Sequence, residues 1–249
     1  MNKILVSRNK IECDIDSIIC KDNVVTFRNS GEYVLEYTES GEYNITFNIN
    51  KNIKIIESSF DNDLIINNNY IIDNGSLNVV KFYNNQSVNE IINIDLLKDG
   101  DKVDYCFANI CKYEERYSIN INHKCKKTIS NITNKSIALG NSILKFIINS
   151  NVYKDCIKSV LDQNTRIVTM GECDASISPN MFIDLDDVEA RHGSVIGAFK
   201  EDQVFYLMSK GISYSDTLKL LIKGYILANM SVHFELRKKI IEIIDMYWR

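Results

Sequence analysis

Residues 186–213 read "DDVEARHGSVIGAFKEDQVFYLMSKGIS", and the spacing of apolar side chains changes inside that stretch. Upstream, "NMFIDLDDVEA" (residues 180–190) is a strand-like run with no helical stripe. After Gly197, "KEDQVFYLMSK" (residues 200–210) gathers Val204, Phe205, Leu207 and Met208 on one side of a helix. Gly211 stands where a helix ends on a residue of positive φ. "SYSD" (residues 213–216) has the form of a capping box and opens a second helix, whose stripe is Leu218, Leu221, Ile222, Tyr225 and Ile226. A third helix within residues 231–248 repeats the pattern through Val232, Leu236, Ile240 and Ile244. Such stripes pack on the body of the protein or serve a partner.

Working back from this junction, the chain reads as many short strands. "YNITFNINKNIKIIE" (residues 43–57) alternates apolar and polar residues, and residues 76–85, 136–150 and 166–173 do much the same. Of 29 asparagines, 28 lie at or before Asn180, and the single proline, Pro179, sits where they stop. Asparagine favours turns over helices, so the first part is turn-rich and the last part helical. No long helical pattern separates the strands, which disfavours alternating β and α units. A sandwich, a barrel and a β-solenoid remain, and stacked coils suit asparagine because side-chain amides can ladder from rung to rung.

A net charge of −4 and a pI near 5.5 argue against nucleic-acid binding, and "HKCKK" (residues 123–127) reads as a solvated turn. No stretch approaches the ~20 apolar residues of a membrane span. Seven cysteines with no signal peptide suggest free thiols in a cytoplasm. Phosphate-loop, dinucleotide-loop, H-E-x-x-H, C-x-x-C and G-x-S-x-G motifs are all absent. The acidic "DLDD" (residues 184–187) reads as a surface turn. His192 stands apart at the strand-to-helix junction, beside Gly193, whose missing side chain permits close backbone approach.

Residues 186–213 resemble the C-terminal signature of the SufB/SufD family of iron–sulfur cluster assembly proteins: a strand ending in A-x-H-G, a glycine-containing link, then an acidic residue, Gln, Phe-Tyr-Leu and a G-I-S turn. The specific likeness runs from Cys173 to about Gly224. It implies a right-handed parallel β-helix over residues 1–197 closed by a helical region over residues 198–249, in a SufD-like short form lacking the family's N-terminal helical domain. Coils of roughly 20–25 residues with rungs about 4.8 Å apart would make about eight coils and a rod of about 40 Å. The resemblance also implies a role as scaffold or partner subunit rather than enzyme, working with the SufC-type ABC ATPase and with a SufB- or SufD-type homologue or a second copy of itself. A transient iron–sulfur cluster is the implied cofactor, with His192 as an iron ligand and Cys173 beside it. Phe205, Lys219, Lys223 and Tyr225 are the implied partner-binding residues, next to the cationic "LRKK" (residues 236–239). The position of the SufB-type sulfur-accepting cysteine falls on Asn164, which cannot accept sulfur; Cys173 and Cys156 are the nearest thiols. A truncated paralogue that only binds partners is the alternative. A β-helical polysaccharide lyase finds no carboxylate or arginine site here. The helices are expected to cover the open end of the β-helix and leave surface over for the ATPase.

Overall fold

The computed structural model describes residues 2–7, 10–13, 17–228 and 230–248. It is a parallel β-solenoid with three helices after it. Two antiparallel pairs come first, β1 (Asn2–Ser7) with β2 (Lys10–Cys13) and β3 (Ile18–Lys21) with β4 (Val24–Phe27). The chain then alternates between two sheets. One takes β5 (Gly31–Tyr37), β7 (Asn52–Phe60), β9 (Ser76–Asn84), β11 (Lys102–Cys111), β13 (Ile129–Leu139), β15 (Ser159–Met170) and β17 (Val188–Gly197). The other takes β6 (Gly41–Ile49), β8 (Asp63–Ile72), β10 (Ser87–Leu96), β12 (Glu114–His123), β14 (Ile143–Val152) and β16 (Asp174–Ile183). Every neighbour within these two runs is parallel and in register.

Pairing β4 with β5, and so on up to β16 with β17, gives seven turns, about 30–35 Å of stacked rungs, against the eight expected. Turn length also differs from expectation, because the later turns are longer than the first ones. Gly31 lies beside Ile53, 22 residues on, whereas Ile129 lies beside Val160, 31 residues on. The extra residues sit partly in the strands, which lengthen from 7 residues in β5 to 12 in β15, and partly in corners such as the one joining β14 to β15, where Asp155 and Lys158 take positive φ.

Alternation decides what each side chain does. In β7, β9 and β11 the side chains of Ile53, Ile55, Leu77, Val79, Val103 and Phe107 face the solenoid interior. Their in-between neighbours Ile56, Val80, Phe82, Ala108 and Ile110 face outward and are buried as well, by a second layer. That layer is α2 (Tyr214–Leu227) and α3 (Phe234–Tyr247). Leu218, Ile222, Ile226, Leu236, Ile240 and Ile244 pack on this sheet's outer face, over strands from β5 (Val34) to β15 (Val168). The helices therefore do not cover the open end, as expected from sequence; they lie along the side. The reason is chemical: the outward positions of these strands are themselves apolar, so the stripe finds its larger partner there.

The other sheet keeps its outer face uncovered by helices and lines it with amides. Asn69, Asn93, Asn120, Asn149 and Asn180 occupy one register column, each amide after Asn69 donating to the side-chain oxygen one rung earlier at 2.8–3.0 Å. Among the described side chains Cys20 is disulfide-bonded and five cysteines are free, which corrects the expectation of seven free thiols. The Cys13 side chain lies outside the described residues.

Candidate functional site

β16 and β17 are the outermost strands of their sheets, so among the described residues each has one hydrogen-bonding edge with no neighbour. Pro179 lies in β16, in keeping with the confinement of proline to sheet edges. Phe182, Val195 and Ile196 are roughly half exposed, at 58%, 55% and 45%, so this end is apolar as well as unpaired.

His192 sits in the middle of β17, opposite Gln163 of β15. Gln163 is buried and faces inward: its Nε2 donates to Ser150 Oγ at 2.7 Å across the solenoid. The same column carries Tyr105 and Ile132 below it. By register His192 therefore stands over the mouth of the interior, exposed because no further coil covers it. Asn164 pairs with Gly193, belongs to the opposite parity, and is exposed on the outside. An added Cβ at Gly193 would meet nothing within 4 Å, so this chain's own packing does not require the glycine that sequence reading assigned to close backbone approach.

Cys173 is elsewhere. It lies in the corner between β15 and β16, half-buried, its thiol 3.2 Å from the carbonyl oxygens of both Ala138 and Gly140. His192 aligns with Gln163, seven residues before Met170 at the end of β15, which is about 20 Å along the strand. The two are not brought together, and among the described residues no three His, Cys, Asp or Glu side chains form a metal-sized group. Cys156 is buried in another corner, its thiol donating to His123 O at 3.1 Å.

The partner-binding candidates divide. Phe205 belongs to α1 (Glu201–Ser209), a helix with no buried residue, and is 66% exposed beside Tyr206 at 62%. Lys219 pairs with Asp216 at 3.0 Å, and Lys223 with Asp245 of α3 at 2.5 Å. Tyr225 is half-buried and ties α2 to the solenoid: its hydroxyl donates to Arg166 O at 2.5 Å, and burial pushes its pKa up. Lys223 and Tyr225 are thus engaged in holding the helices, whereas Phe205 is free to meet a partner. Ser213 caps α2, and Asp216 reaches back to it: Ser213 Oγ accepts from Asp216 N at 3.1 Å and donates to the Asp216 carboxylate at 2.7 Å, so the return bond goes to the hydroxyl.

Sequence reading missed the buried charges. Glu57, Lys81, Glu90 and Glu115 all lie inside the solenoid. The signal was parity: Lys81 is in phase with Val79 and Tyr83, Glu90 with Val88 and Ile92, and Glu115 with Tyr117 and Ile119.

Among known proteins, residues 52–225 match the SufBD core domain of the SUF iron–sulfur cluster assembly system. The chain is 30% identical over 112 residues to an iron–sulfur cluster assembly SufBD family protein of Pyrococcus horikoshii, covering 34% of this chain and 25% of that one. It is 24% identical over 152 residues to the iron–sulfur cluster assembly protein SufD of Bacillus subtilis, covering 53% and 34%. For SufD of Escherichia coli the figures are 29% over 100 residues, covering 40% and 22%. The chain thus spans between about a fifth and a third of the length of these relatives.

Proposed function

This chain belongs to the SufBD family of iron–sulfur cluster assembly proteins, and from that premise we propose that it is a non-catalytic scaffold subunit, acting in the cytoplasm with a SufC-type ATPase and a second SufBD-type chain. The observation that carries the reading is the uncovered end of the solenoid: two unpaired strand edges, exposed apolar side chains, and His192 over the interior mouth. A strand edge of this kind is satisfied by another strand, so the second chain joins at β16 and β17. Neutral imidazole is a good iron ligand. With Cys173 about 20 Å away along the strand, His192 supplies one ligand, and the facing chain supplies the rest. The ATPase docks on α1, whose exposed Phe205 and Tyr206 this chain does not itself bury.

The separation of His192 from Cys173 also favours a second reading, in which this chain joins the complex but holds no cluster. Anaerobic reconstitution with iron and sulfide, on the complex with both partner proteins, separates the two. His192→Ala is expected to leave the far-UV spectrum and melting temperature unchanged and to lower iron retention at least severalfold. Unchanged retention would establish the pure interaction module.

A further inference from the structure

Between β7 and β12 the solenoid interior holds three carboxyl groups, Glu57, Glu90 and Glu115, and one ammonium, Lys81; all four are buried. Lys81 grips both oxygens of Glu90 and lies 3.1 Å from Glu57. Glu57 also takes the hydroxyls of Tyr83 and Tyr70. Glu115 has no such cation. Its Oε2 accepts from Asn109 Nδ2 and from Tyr117 OH, the latter at 2.7 Å. Its Oε1 has no partner, and neither does the neighbouring Asn109 Oδ1. Two buried acceptors, on side chains that are hydrogen-bonded to each other, lack a donor. Turning the Asn109 amide over leaves the deficit in place, because its oxygen would then face Glu115 Oε2.

Counting charges, one ammonium cannot neutralise three carboxylates, and an uncompensated buried charge is very costly. We propose that the interior of this solenoid is a proton-holding site: below neutral pH Glu115 carries one proton and Glu90, beside Lys81, a second, and their loss destabilises the coils from β9 to β12. The other titratable groups facing these two carboxyls are Tyr37, Tyr70, Tyr83, Tyr105, Tyr117, Cys111 and Lys112. Burial pushes the five tyrosines and Cys111 upward, so they stay neutral and cannot compensate. Lys112 is partly exposed and lies 3.9 Å from Asp61. Burial raises the Glu115 carboxyl to about 7, against the opposing hydrogen bonds of Tyr117 and Asn109. Burial also raises Glu90, with Lys81 opposing and Glu57 adding to the rise.

The sign follows. A carboxyl whose pKa is higher in the folded protein contributes stability that is complete below its unfolded value and is lost as pH rises to the folded one. Urea unfolding of wild type, Glu115→Gln and Glu90→Gln is compared between pH 5 and pH 8. Gln matches the neutral carboxyl in shape and does not titrate. The unfolding constant of wild type relative to Glu115→Gln is expected to rise by up to about tenfold per pH unit between pH 5 and 7, then level off. A ratio that stays constant with pH overturns the proposal. So does wild-type stability that depends on potassium or sodium over choline at fixed ionic strength, since a bound cation would then replace the proton. Should a variant fail to fold, infrared spectra of wild type decide alone: a protonated-carboxyl band at pH 6 that vanishes on unfolding supports the site, and its absence overturns it.

Discussion

At the scale of single residues, Gly75 and Gly193 behave oppositely. A Cβ on Gly75 would come 2.5 Å from the backbone oxygen of Lys51 in the corner one rung earlier, so Gly75→Ala forces backbone to move. The expected cost is about 1–3 kcal/mol, a fall in melting temperature of roughly 2–12 °C for a chain of this size. Gly193→Ala has open space and is expected to leave the melting curve unchanged. Any effect it has on co-purification therefore reports the partner rather than the fold. Differential scanning calorimetry of the pair checks both statements. Neither fact was legible in the sequence, because a glycine's need depends on what stacks against it, and that neighbour lies 24 residues earlier for Gly75 (Lys51 to Gly75). The interior charges were legible in principle: period-two phase with Val79 or Ile92 placed Lys81 and Glu90 inward. Composition misleads there, since charged residues are rarely buried.

At the scale of elements, the helix signals held well. Ser213 caps α2, and Gly211, at φ 86°, follows α1. These are local signals, carried by residues within one turn. What the stripes of α2 and α3 would pack against was not local, and the sequence offered a partner surface or the solenoid without a means to choose. The outcome changes which residues probe docking. Lys223→Glu is expected to cost stability, up to about 1 kcal/mol, because it opposes Asp245 across α2 and α3. Phe205→Ala and Tyr206→Ala are expected to leave melting unchanged and to weaken co-purification with a SufC-type ATPase severalfold. Melting and pull-down on the same preparations separate the two behaviours; binding that survives both aromatic replacements places the dock away from α1.

At the scale of the whole molecule, period-two runs and abundant asparagine left a sandwich, a barrel and a solenoid open, the family resemblance chose stacked coils, and the amide ladder from Asn69 to Asn180 shows why a solenoid accommodates that composition. The number of residues per turn was not legible, since the repeat varies from 22 to 31 residues as strands and corners lengthen while the rungs stay paired. The exposed end makes a further expectation. Isolated protein should self-associate as concentration rises in sedimentation velocity, and Val195→Lys with Ile196→Lys should suppress this without lowering the melting temperature. A monomer at all concentrations would mean that the edge is satisfied only by a different chain. The position of α2 and α3 has another consequence. In a plain stack each rung touches only its neighbours, so rungs can fray from an end one at a time. Here one helical hairpin grips six successive strands, from Val34 in β5 to Val168 in β15. No rung beneath it can leave without breaking contacts shared with the others, and a one-dimensional array becomes a single cooperative body.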